Sequence, residues 1–142
     1  IEDRRALILT LADRIEAEAE ALARLLTQEQ GKPLPEAQAE IAYTCAFIRH
    51  LAGYDLPVKV IEDNESRLVR QFRKPLGVVA AITPWISPTA SEMHNVAPAI
   101  AAGNAGIINP AEATPLMALE LARIFEQAGL PAGLLSVLPG CW

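Results

Sequence analysis

One stretch constrains the fold more than any other: residues 73–110, RKPLGVVAAITPWISPTASEMHNVAPAIAAGNAGIINP. Val78, Val79, Ala80, Ala81 and Ile82 form a short apolar run, which predicts a strand buried on both faces. Thr83, Pro84 and Trp85 stop it. Pro88 then precedes a helical pattern in which Met93, Val96, Ala97 and Ile100 share one face. Gly103 and Asn104 close that helix, and Ala105 to Ile108 reads as a second buried strand. A strand, a crossover helix and a second buried strand make a βαβ unit, which places its ligands at the carboxyl ends of its strands. Two loops fall there, 83–88 and 109–112, and they are the candidate site.

The remaining elements follow from the same signals. Residues 2–30 read as one helix, with Leu7, Leu11, Ile15, Ala19, Leu22 and Leu26 recurring every three or four positions. Gly31 ends it and Pro33 blocks its continuation. A second helix begins near Pro35, carries an apolar stripe of Ile41, Cys45, Ile48 and Ala52, and ends near Gly53. Cys45 on that stripe reads as a buried structural thiol, and His50 as a favourable dipole contact at the helix end rather than a catalyst. Residues 57–74 read as a hairpin around the polar turn Glu62-Asp63-Asn64-Glu65-Ser66, with Val69 out of phase with Leu68. Lys59, Arg67, Arg70, Arg73 and Lys74 form a mild basic cluster, read as a solvated strand face. Thr114 and Pro115 predict a hydroxyl-capped helix start, followed by an apolar surface of Leu116, Leu119, Ala122, Ile124 and Phe125. Gly129 and Pro131 stop that helix, and Leu134 to Leu138 gives a third strand. The fold class is therefore α/β: a partial Rossmann-like parallel sheet with amino-terminal helices and a β-hairpin arm. We expect one domain over 1–142, with a helical segment at 1–56, the hairpin at 57–75 and a partial dinucleotide-binding βαβαβ at 76–142.

Composition narrows the function classes. The 142 residues can bury a real core, and 51% hydrophobic content argues against disorder. A net charge of −5 with no basic run disfavours nucleic acid as a partner. No apolar stretch is long enough to span a membrane, so no membrane partner is expected. Ile1 opens directly into a polar helix, without a signal-peptide pattern. Two cysteines, Cys45 and Cys141, make no disulfide framework and stand at no metal-ligand spacing, which sets a cytoplasmic location as the default. No metal site and no Ser/His/Asp triad can be assembled from the two histidines, His50 and His94.

The segments KPLGVVAAITPW, VAPAIAAGNA, NPAEATPL and AGLPAGLLSVLPG closely resemble, in order and spacing, the amino-terminal part of aldehyde dehydrogenases that use NAD or NADP. The resemblance covers nearly the whole chain. It implies oxidation of an aldehyde to a carboxylic acid, with a small-molecule aldehyde as substrate. It implies that Ile82, Thr83, Pro84 and Trp85 line the cofactor groove. It places Asn109, Pro110, Ala111 and Glu112 at the adenosine ribose. Glu112 matches a ribose-binding acid, which disfavours a 2′-phosphate by charge repulsion; the cofactor implied is NAD or NADP, and the alternative is that this chain binds neither. Read from the residue alone, Glu112 is also an acid placed before a helix amino terminus. The hairpin corresponds to a small sheet that joins subunits in the family, so a homo-oligomer is expected, most simply a symmetric dimer.

Several positions depart from the family pattern. Ile86 replaces an Asn whose amide stabilises the oxyanion, and Asn109 replaces a Lys. His94 and Asn95 stand where two basic residues are usual. No Gly-rich phosphate turn is present: Gly103 and Gly106 precede a strand. The family's nucleophilic Cys, general-base Glu and Gly-rich turn all lie beyond the segment matching Gly140. Cys141 matches a turn residue, and Trp142 falls where a glycine is frequent. No residue of the chain is therefore assigned a catalytic role. Three readings follow: part of an aldehyde dehydrogenase, inactive by itself; a non-catalytic truncated or degenerate remnant that acts through association; or a weak nucleotide-binding module.

Overall fold

The computed structural model describes residues 2–140; Cys141 and Trp142, and the expectations attached to them, lie outside the described residues. The described residues form five helices and five strands. Helices α1 (Glu2–Ala17), α2 (Ala19–Gln30) and α3 (Leu34–Ala52) precede strands β1 (Lys59–Asp63) and β2 (Leu68–Gln71). Then come β3 (Val78–Ile82), α4 (Pro88–Ala101), β4 (Ala105–Asn109), α5 (Pro115–Gln127) and β5 (Leu135–Val137). The main sheet is parallel, in the order β3-β4-β5, with Val78 opposite Ala105 and Ile108 opposite Val137. The expected adjacency of the two strands of the βαβ unit is present.

The single helix expected over residues 2–30 is two. The chain bends at Glu18 (φ −104°, ψ 12°), where the backbone bonds Glu18 N to Arg14 O and Leu22 N to Glu18 O still run through. No proline or glycine marks the bend. Its cause is tertiary: α1 packs on α3, α4 and α5, while α2 turns against α3 and α5, and the Glu18 carboxylate pairs with Arg123 of α5.

The core lies on one side of the sheet, between it and the helices. Ile8, Leu11 and Ile15 of α1, Ile41, Cys45 and Ile48 of α3, Met93, Val96 and Ile100 of α4, and Leu121, Ile124 and Phe125 of α5 are all buried. Burial raises the Cys45 thiol to about 11, the inert structural thiol that its position on the stripe predicts. On α5 the buried residues are Met117, Ala118, Leu121, Ile124 and Phe125, whereas Leu116 and Leu119 are exposed, so the packed stripe is rotated from the expected one.

The other face is open along β3, while its β4 neighbours Ala105 and Ile107 are half-buried and Asn109 is buried. β3 is not buried on both faces: Val78 is 63% and Ile82 80% exposed, and Ala80 is exposed with them. Only the alternate residues, Val79 and Ala81, turn toward the helices. A continuous apolar run was read as two buried faces, but only one of those faces finds a cover among the described residues.

The hairpin β1–β2 is exposed along its length. Its register runs Lys59 with Gln71, Val60 with Arg70, then Glu62 with Val69, so Ile61 is bulged out. The bulge interrupts the alternation of β1 at Val60-Ile61, while β2 runs on regularly through Leu68 and Val69. Asn64 Oδ1 closes the turn by accepting from the N–H groups of Ser66 (2.9 Å) and Arg67 (3.1 Å).

Candidate functional site

The carboxyl ends of β3 and β4 bring the two sequence-nominated loops side by side. Thr83 N donates to Asn109 O at 3.1 Å, one step beyond the last pair of the parallel ladder, Ile82 with Asn109. Thr83 is buried, and Pro84, Trp85 and Ile86 are exposed on the loop that follows. Across from them, Asn109 and Pro110 are buried, Ala111 is half-buried and Glu112 is exposed. The Asn109 side chain is already engaged: its Nδ2 donates to Leu138 O at 2.7 Å, tying the end of β4 to the chain leaving β5. Ile82, Trp85 and Glu112 thus present outward side chains, while Thr83, Asn109 and Pro110 set the backbone beneath them.

Sequence reasoning missed what holds these loops. Gln30 Nε2, on the last residue of α2, and Lys32 Nζ, just beyond it, donate to Ile86 O at 2.7 and 3.0 Å. Two donors from the end of α2 and the residues after it therefore fix the Ile86 carbonyl. Lys32 also pairs with the Glu40 carboxylate of α3, which is buried. Glu40 Oε1 in turn accepts the N–H of Ala90, in the first turn of α4, at 3.2 Å. On the other side, Glu29 Oε1 and Oε2 accept the N–H groups of Leu116 (2.5 Å) and Met117 (3.1 Å), in the first turn of α5.

Both helices behind the loops are therefore capped by carboxylates from elsewhere in the fold. The hydroxyl cap expected of Thr114 does not form: its Oγ1 is buried without a partner among the described residues, and Ser87 makes no side-chain cap among them either. The sequence signal was the polar run QEQGK at the end of α2, whose targets are 54–88 residues away along the chain.

A third carboxylate completes the group. Glu92 lies on the buried face of α4, one turn before Val96, with 0% exposure and no partner for either oxygen among the described residues. Burial, and then the neighbouring carboxylates of Glu29 and Glu40, push it up to about 9. The residue is thus a neutral carboxylic acid at physiological pH. The spacing of Glu92 with Val96 and Ile100 was a signal available in the sequence, since it puts an acid on the apolar stripe.

Outward groups on two adjacent loops at the carboxyl ends of parallel strands suit a nucleoside. The amino termini of α4 and α5, which would otherwise take phosphate, already hold carboxylates. Among the described residues no glycine-rich turn replaces them.

Comparison with known proteins agrees with this geometry. A model of the aldehyde dehydrogenase family matches residues 1–141, and the chain belongs to that family. It is 42% identical over 139 residues to 3,6-anhydro-alpha-L-galactose dehydrogenase of Streptomyces coelicolor, covering 96% of this chain and 28% of that protein. The structure of PnpE in complex with nicotinamide adenine dinucleotide superimposes with a TM-score of 0.94 at 36% identity, over 99% of this chain and 29% of that one. The glyceraldehyde-3-phosphate dehydrogenase GapN of Methanocaldococcus jannaschii, complexed with NADP, gives a TM-score of 0.92 at 34% identity, over 99% and 32% of the two chains. The 142 residues therefore span less than a third of the length of these relatives.

Proposed function

We propose that these residues form the nucleoside side of the cofactor groove of an enzyme that oxidises an aldehyde to a carboxylic acid with NAD(P). The observation that supports this reading most directly is the Thr83–Asn109 backbone bond, which sets loops 83–88 and 109–112 edge to edge above the parallel sheet. Ile82, Thr83, Pro84 and Trp85 would line the groove. Asn109, Pro110, Ala111 and Glu112 would hold the ribose, with Glu112 accepting from its hydroxyls and repelling a 2′-phosphate. When bound, the cofactor supplies a hydride acceptor; the residues described here orient its nucleoside end only.

Chemistry requires more than this chain offers. By the resemblance, the family's nucleophile and base correspond to nothing in residues 2–140, and Ile86 has no side-chain amide to offer an oxyanion. The 142-residue chain by itself should turn over no aldehyde. Titration with NAD and NADP tests the reading: weak NAD binding, lost in Glu112→Ala, is expected. Tighter binding of NADP than of NAD, or NAD binding indifferent to Glu112→Ala, would overturn the ribose assignment. Turnover of a simple aldehyde by the chain alone would overturn the division of labour.

A second reading rests on the bare sheet face of Val78, Ala80 and Ile82 and on the exposed apolar residues of the hairpin, Val60, Leu68 and Phe72. Apolar strands in this condition associate with other chains. The expected form is a homo-oligomer. α1 packs with the helices on the opposite side and leaves the face open. Sedimentation decides: a dimer lost in Ile82→Lys or Val69→Lys names the surface used, and a clean monomer at micromolar concentration removes this reading. Among the described residues no helix is long and apolar enough to cross a membrane. A cytoplasmic location belongs to the same proposal and is checked by fractionation.

A further inference from the structure

The end of the sheet opposite the two loops carries a cavity of about 320 Å³. The ends of α3 and α4, the start of α1 and the segment leading into β3 enclose it. Its apolar lining includes Ile8, Leu51, Ala52, Pro98 and Ala101, and three arginines join them: Arg4, Arg5 and Arg73. This is an unusual concentration of cations in a chain of net charge −5.

Arg5 is committed, donating to Tyr54 O at 3.2 Å and pairing with Asp55. Arg4 and Arg73 have no ion-pair partner among the described residues. Arg4 is fitted to its place by Gly103, whose φ of +92° suits glycine. A Cβ there would fall 2.1 Å from Arg4 Nη1 and 3.0 Å from Pro75 Cγ. The carboxyl ends of α3 and α4 favour cations nearby, but two helix ends amount to about one negative elementary charge in all. Two unpaired guanidinium groups exceed that, so the cavity keeps positive charge beside an apolar wall.

We propose that this cavity binds an amphipathic monocarboxylate, its hydrocarbon tail against Ile8, Ala52 and Pro98 and its carboxylate taken by Arg4 and Arg73. The volume is at the small end of ligand pockets, and the apolar lining favours a ligand with one charged group. The guanidinium fork matches a carboxylate. This site does not depend on the cofactor-groove reading, and NAD titration does not report on it.

Octanoate, octanol and octylamine are the probes, titrated calorimetrically into the intact chain, with amide chemical-shift mapping. We expect one saturable octanoate site, octanol at least about tenfold weaker, and no octylamine binding. Shifts should centre on Leu51, Ala52, Ala101 and Ala102. The double variant Arg4→Gln, Arg73→Gln should weaken octanoate about tenfold while leaving octanol unchanged. Ala101→Leu, which fills the cavity, should weaken both. Circular dichroism verifies that each variant folds; if the double variant does not, the octanoate–octanol ratio and the shift map in the unaltered chain decide alone. Equal affinity for octanoate and octanol overturns the proposal, as does octanoate binding indifferent to the arginines. Shifts confined to Val78, Ala80 and Ile82 would reassign the binding to the bare sheet face and equally overturn it.

Discussion

Helices α4 and α5 begin alike and are held differently. Each starts with a hydroxyl residue and a proline, Ser87-Pro88 and Thr114-Pro115, and each follows one of the two candidate cofactor loops. In both, the first-turn N–H groups are taken by a glutamate from another helix. At α4 the acid, Glu40, is buried and shares its charge with Lys32, which reaches on to Ile86 O. At α5 the acid, Glu29, is half-buried, makes two N–H bonds and has no cation partner among the described residues. A helix amino terminus can thus be satisfied by a neutralised buried pair or by a lone carboxylate acting on the helix dipole. The first ties a loop into the core; the second is a simpler contact and should be easier to remove.

The largest effect should come from breaking the α4 arrangement. Glu40→Ala leaves Lys32 charged and almost buried without its acid, and removes the cap from Ala90. Loss of about 3–5 kcal/mol is expected for breaking such a pair. Urea unfolding measures it. A loss below about 1 kcal/mol, comparable to an exposed pair, would show that the two helix starts are not different in kind.

Glu92 sharpens the comparison, because both capping carboxylates raise its pKa. Its folded value of about 9 lies above the ordinary carboxylate value of 4.5. The folded state therefore holds the proton more tightly than the unfolded one. The contribution is complete below about pH 4.5 and is lost as pH rises toward 9, at up to about 1.4 kcal/mol per pH unit. Glu92→Gln should flatten this part of the stability–pH curve and stabilise the chain at neutral pH. A curve unchanged by the substitution would mean that Glu92 finds a partner in solution.

The two capping acids also show where sequence reading stops. The βαβ unit was legible because its signals are local: an apolar run, a proline, a helical stripe, then Gly103-Asn104. Asn104 adds to this by accepting from the N–H groups of Leu76 (2.6 Å) and Gly77 (3.0 Å), which seats the start of β3. The loops at 83–88 and 109–112 were legible for the same reason. The bend at Glu18 was not, since an unbroken stripe covers residues 2–30 and only Arg123, 105 residues away, shows where Glu18 must point. Nor was the bare face of β3, because a run of apolar residues does not say which of its faces finds a cover. Gln30, Lys32, Glu29 and Glu40 act through partners remote in sequence, so no local pattern could assign them to the site.

Glu29→Ala should cost less than Glu40→Ala. Two N–H bonds at Leu116 and Met117 are lost, but no buried cation is stranded. About 1–2 kcal/mol is expected, in the range of a lost helix cap. Hydrogen exchange at Leu116 and Met117 should rise selectively, while that at Ala90 stays as it was. Equal rises at both helix starts would mean that the two caps act as one network.

The smallest expected effect is the most discriminating. A threonine before a helix-starting proline is ordinarily a cap whose removal costs about 0.5–2 kcal/mol. Thr114 occupies that position, yet its Oγ1 is buried, unpartnered and replaced in its role by Glu29. Burying a hydroxyl without a hydrogen bond is unfavourable, so exchanging it for a methyl of similar size should remove a cost rather than a contact. Thr114→Val should therefore leave stability unchanged within about 0.5 kcal/mol or raise it slightly. In the Glu29→Ala background the hydroxyl is free to turn to the N–H groups that the carboxylate has vacated, and the same Thr114→Val change should then cost about 1 kcal/mol. A double-mutant cycle reads the difference directly. If Thr114→Val costs the same with and without Glu29, the hydroxyl caps α5 by itself. The carboxylate is then an accessory, and the contrast between the two helix starts falls.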